Sequence, residues 1–120
     1  ESAKHQYLAA ADFFALASLH EGFGIVFQEA MYAGLPIVTT HSGGQTDFLR
    51  HGHNALLVPP KAAQDLANAL RAMATDSEMR SAMSEVNREE IQSHFADKVA
   101  DQYLDLYTSI ITSVLKPFSP

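Results

Sequence analysis

The sequence contains no cysteine and no tryptophan in its 120 residues. Without cysteine there is no disulfide and no thiolate nucleophile, which suits a reducing compartment; the expected setting is cytoplasmic. Cations are scarce, with 8 Lys and Arg against 14 Asp and Glu and a net charge of −6. That balance argues against a nucleic-acid partner, which calls for a basic stripe, and against strong attraction to an anionic membrane surface. No apolar run reaches the length of a membrane span, and no signal peptide is recognisable. The chain starts at Glu1, as a piece of a longer protein would. There is no internal repeat and no low-complexity segment.

One gap is local. From His5 to Leu49 there is no Lys or Arg. A site in that window that held a diphosphate would have to use backbone amides, or borrow positive charge from elsewhere.

What is present reads as alternating strands and helices. Phe13 to Leu19 is an apolar run with the length of a buried parallel strand. His20-Glu21-Gly22-Phe23-Gly24 follows as a tight, glycine-rich turn, and a helix is expected from Ile25 to Ala33, closed by Gly34. Strand, glycine turn and helix together form an anion-binding arrangement at the carboxyl end of a parallel strand. The helix is apolar on nearly every face, which predicts burial, and only Gln28 and Glu29 interrupt it. On the residues alone two readings stand. Either Glu21 caps the helix and Glu29 reaches solvent, or both accept hydrogen bonds from sugar hydroxyls, with Glu29 suited to a ribose diol.

Ile37–Thr40 and Ala55–Val58 read as two more short strands. Between them lies His41-Ser42-Gly43-Gly44-Gln45, where paired glycines permit close backbone approach to a ligand, followed by an expected helical turn over Thr46–His51. After Pro60 the pattern is helical throughout. Ala63, Leu66, Leu70 and Met73 keep the helical period, Ser77 is a candidate N-cap for a second helix, and a third runs from Asp97 to Leu115. That last helix carries two adjacent apolar stripes, Val99-Tyr103-Leu106-Ile110 and Ala100-Leu104-Tyr107-Ile111-Leu115. The domain reading is a single unit, 1–120, with an α/β part over 1–60 and a helical extension over 61–120.

Other chemistries are poorly supported. His41, His51 and His53 lack the ligand spacing of a zinc site. Ser18 and Ser42 have no recognisable triad context. Gly22-Phe23-Gly24 lacks the third glycine of a dinucleotide fingerprint, since Phe27 stands there.

Glu21-Gly22-Phe23-Gly24 with Glu29 eight positions after the first acid resembles the E-x7-E motif of retaining glycosyltransferases of the GT-B fold, of the family 4 (glycosyl transferase group 1) type. Ala11-Asp12-Phe13-Phe14, Glu29-Ala30-Met31, Gly34-Leu35-Pro36-Ile37-Val38, Ser42-Gly43-Gly44 and Asn54-Ala55-Leu56-Leu57-Val58-Pro59-Pro60 fall in that family's order, so the resemblance covers essentially the whole chain. Gln45-Thr46-Asp47 departs from it, because the family places an apolar residue, Pro and Glu after the glycines.

The resemblance implies the C-terminal, donor-binding portion of such an enzyme, with a partial Rossmann-like parallel sheet and C-terminal helices. It implies sugar transfer from a nucleotide diphosphate donor with retention at the anomeric carbon, in carbohydrate biosynthesis. Glu21 would be catalytic, holding donor-sugar hydroxyls. Gly22, Phe23, Gly24, Ile25, Val26, Glu29, Gly43 and Gly44 would bind the donor. Tyr7 or Leu8 would meet the base, or else pack in the core. No metal and no other cofactor is implied, the nucleotide sugar being a substrate. The Arg and Lys that such enzymes carry upstream for the diphosphate have no counterpart in this chain. The partners implied are the nucleotide sugar and an N-terminal acceptor domain, with self-association through the last helix and peripheral membrane attachment of the parent also open. A non-catalytic nucleotide-sugar-binding or structural module of the same fold is the alternative.

Overall fold

The computed structural model describes residues 2–18, 25–92 and 97–115. Within them the order is α1 (Ser2–Ala10), β1 (Phe14–Leu16), α2 (Ile25–Tyr32), β2 (Ile37–Thr40), a 3-10 turn (Gly44–Asp47), β3 (Ala55–Val58), α3 (Ala63–Thr75), α4 (Ser77–Glu90) and α5 (Asp97–Leu115). The three strands form one parallel sheet in the order β1-β2-β3. Phe14 pairs with Ile37, and Ile37 with Ala55, so same-facing side chains line up across the sheet.

Strand β2 is central and buried at every position, which matches its unbroken Ile-Val-Thr-Thr composition. Its two faces serve different helices. Ile37 joins Phe14, Leu16, Leu57 and Ala55 in a core against Phe27, Ala30 and Met31 of α2. The Phe14 and Phe27 rings meet edge to face, with centroids 5.9 Å apart. Val38 faces the other way, into a core with Leu56, Val58, Ala69 and Met73, closed by Met83 of α4. The sheet is therefore sandwiched, and the helices after Pro60 complete its second layer.

Helix α2 ends as its glycine predicts. Leu35 N donates to Ala30 O and Gly34 N to Met31 O, both at 2.9 Å, with Gly34 at φ 76°. That pair of bonds is a Schellman cap. A methyl group at Gly34 would also collide with the Arg88 guanidinium of α4.

Four expectations are corrected. Paired β1 covers only Phe14–Leu16 rather than Phe13–Leu19; at its last pair the Thr39 hydroxyl donates to Leu16 O (2.7 Å), and beyond it the Thr40 hydroxyl donates to Ser18 O. Leu19 lies outside the described residues. The 3-10 turn occupies Gly44–Asp47, not Thr46–His51, because the Asn54 side chain binds Arg50 N (2.8 Å) and Phe48 O (3.0 Å) and so takes backbone groups a longer helix would use. The N-cap of α4 is Asp76, not Ser77: its carboxylate accepts from Met79 N at 2.9 Å, where negative charge also meets the helix dipole. Finally, α2 is not buried all round, since Ile25 and Tyr32 at its two ends are 60% and 74% exposed.

At the amino edge of the sheet, a polar core joins distant segments. Asn87 of α4 is fully buried and donates to Leu35 O (2.8 Å) and Asn54 O (3.1 Å). Glu90 then meets His53 (2.7 Å) and Asn54 (3.3 Å). On α5, Leu104, Leu106, Tyr107, Ile110 and Ile111 are all exposed. Among the described residues no helix is long and apolar enough to cross a membrane.

Candidate functional site

The carboxyl edge of the parallel sheet gathers the end of β1, the start of α2 and the loop after β2. Helix α2 returns antiparallel to the strands, so its amino end, at Ile25 and Val26, opens on this edge. Glu21, Gly22, Phe23 and Gly24 lie outside the described residues.

Glu29 stands one turn into α2, about a third exposed. Lys4 of α1 reaches it: Nζ lies 3.0 Å from Oε2 and 3.4 Å from Oε1. Lys4 thus reaches in from the upstream border of this window and is directed at the carboxylate. Beside the pair runs a groove of about 410 Å³ between α1 and α2, lined by His5, Leu8, Ala9, Glu29, Tyr32 and Ala33. Its floor is apolar, its wall includes an aromatic ring, and its polar end is a carboxylate. That combination suits a flat heterocycle with a diol attached. Leu8 both lines the groove and packs on the core, whereas Tyr7 is 79% exposed.

The loop after β2 is ordered by its glycines and by Gln45. Gly43 has φ 83° and ψ −167°, a region open essentially to glycine alone. Gly43→Ala is expected to destabilise the chain by about 1–3 kcal/mol, read as a lowered urea midpoint. Gln45 is fully buried, and its amide donates to Thr40 O at 3.1 Å, while Asp47 is exposed. The departure from the family's pattern thus puts a buried amide behind the two glycines and leaves the shortened acid in solvent.

Two of the histidines have structural partners. His51 Nδ1 accepts from Leu57 N at 2.9 Å, and His53 bonds Glu90. His5 and Tyr32 were not singled out as groove residues by the sequence. Neither was Lys4, whose partner is 25 positions away with no local pattern linking the two.

This geometry can be set beside known proteins. Residues 1–90 match the family described as "Glycosyl transferases group 1". The chain belongs to that family. The lipopolysaccharide core biosynthesis glycosyltransferase LpsE of Rhizobium meliloti is 35% identical over 90 residues, covering 75% of this chain and 26% of that protein. Among solved structures, the sucrose-phosphate synthase of Thermosynechococcus elongatus superposes with a TM-score of 0.80 at 31% identity, over 89% of this chain and 27% of that one. An Anabaena protein solved in complex with UDP-glucose gives 0.78 at 29% identity, over 87% and 29%. The chain spans about a quarter of the length of the curated relatives it matches. Its fold is the α/β arrangement of the GT-B glycosyltransferases, with a parallel sheet between helices.

Proposed function

We propose that this chain is the donor-binding portion of a retaining glycosyltransferase, which moves a sugar from a nucleotide diphosphate to an acceptor. The observation that carries the reading is Glu29: a carboxylate one turn from the open end of α2, at the mouth of an apolar groove sized for a nucleoside. Glu29 accepts from the ribose hydroxyls and exchanges its Lys4 contact for them. The base lies against Leu8, Ala9 and Tyr32. Glu21 holds hydroxyls of the donor sugar. The amides of Gly24, Ile25 and Val26 receive the distal phosphate, with Gly22 and Phe23 shaping the turn and Gly43 and Gly44 flanking the sugar. Stabilising the departing diphosphate lowers the barrier, because that charge develops in the transition state. The leaving phosphate takes the acceptor proton, so this chain supplies no general base, and no metal takes part. The reaction is completed by an acceptor domain, against which the exposed face of α5 packs.

A UDP-glucose complex of the Anabaena relative supports trying uridine donors first. Titrating UDP, GDP and ADP into the chain, with amide resonances as the readout, should shift Ile25–Ala30 and residues of α1 for one base selectively. Shifts confined to other elements would overturn the site.

The absence of any Lys or Arg from His5 to Leu49 favours a second reading, a module that binds nucleotide sugars without transferring them. Nucleotide binding with no sugar transfer or donor hydrolysis by the complete protein would select it.

A further inference from the structure

Thr40, the last residue of β2, makes contacts in three directions. Its hydroxyl donates to Ser18 O, beyond the paired part of β1. Its carbonyl accepts from the buried Gln45 amide at 3.1 Å and from Ser42 N at 3.0 Å. Ser42 Oγ adds a second donor to Ser18 O at 3.1 Å and lies 3.3 Å from the Thr40 hydroxyl. One residue therefore ties the chain leaving β1 to the loop carrying Gly43 and Gly44. Strand β1 pairs with β2 only through Leu16, so past that point the two hydroxyls replace the sheet ladder.

We infer that Thr40 is a positioning residue for sugar transfer, holding the loop of Gly43 and Gly44 against the end of β1 through the Ser18 carbonyl. The inference rests on the reading of the site given above. In that reading Gly43 and Gly44 flank the donor sugar, and the Thr40 carbonyl holds the Gln45 amide behind them. The nucleoside groove, by contrast, is built from α1 and α2 and makes no use of Thr40. Losing the hydroxyl should therefore spare nucleotide binding and slow the chemical step. Geometry errors of about 1 Å at a reacting centre cost on the order of 100-fold in rate.

The test is a set of variants in the complete enzyme. Thr40→Val keeps the size and β-branched shape but removes the donor. It should lower kcat by about 10-fold or more with UDP affinity within about 3-fold of wild type, and Thr40→Ser should restore most of the rate. Thr39→Val, which removes the analogous bond to Leu16 inside the paired strand, should leave kcat near wild type. Unchanged kcat in Thr40→Val, no rescue by Thr40→Ser, or an equal loss in Thr39→Val would each overturn the inference. If Thr40→Val does not fold, Ser42→Ala takes away the second donor to Ser18 O; a lowered kcat with intact UDP binding supports the proposal and an unchanged kcat overturns it. Failure of the site itself is seen separately, as wild-type protein that binds no nucleotide or a Glu29→Ala variant that binds it normally.

Discussion

Glu29→Ala is expected to weaken binding of a nucleoside diphosphate and of its sugar conjugate alike, each by about 100-fold. The magnitude follows from two hydrogen bonds to a charged acceptor, worth roughly 1.5–3 kcal/mol each, discounted for a side chain that is part exposed. Calorimetric titration of the complete enzyme with both ligands reads it directly. The comparison with Lys4→Ala is decisive, because Lys4 is the only partner the carboxylate has among the contacts described. If Glu29 served only to hold α1 on α2, the two variants would behave alike. In the proposed role they diverge: Lys4→Ala leaves nucleotide affinity near wild type and costs at most about 1 kcal/mol of stability, as part-exposed ion pairs do. A loss confined to the sugar-bearing ligand would remove the ribose from the assignment.

The largest structural effect is expected at Asn87. Its amide group holds Leu35 O and Asn54 O, so one side chain fastens α4 to the turn entering β2 and to the residue entering β3. Asn87→Ala strands two buried carbonyls and leaves a cavity, for a loss of about 2–4 kcal/mol in urea unfolding. Asn87→Asp keeps the shape but turns the donor into an acceptor facing two carbonyls, and should be at least as damaging. Less than about 1 kcal/mol for both would show that water replaces the amide, and that this junction is not closed as the structure has it.

Much of the architecture was legible in the sequence because its causes are local. The apolar runs of β2 and β3, the helical periods after Pro60 and the glycine at the end of α2 each specify an element from a few neighbouring residues. Errors came where a side chain from elsewhere competes for the backbone. Asn54 shortens the turn after β2, and the Thr40 hydroxyl takes the Ser18 carbonyl beyond the last pair of β1. At Asp76 the miss was one of choice, since two adjacent residues could cap and the carboxylate prevailed.

The sequence by itself determined the class of fold, the order of its elements and the stretch on which a ligand site would be built, since periodicity, turn chemistry and the E-x7-E spacing are written in contiguous residues. Only the tertiary structure decided that Lys4 meets Glu29, that Leu8 and Tyr32 share a groove with it, that Thr40 joins two loops, and that Asn87 closes the far edge. Those pairs are separated by up to 52 positions. Their contacts arise from packing two helical layers on one sheet, a constraint that leaves no periodic mark on the chain.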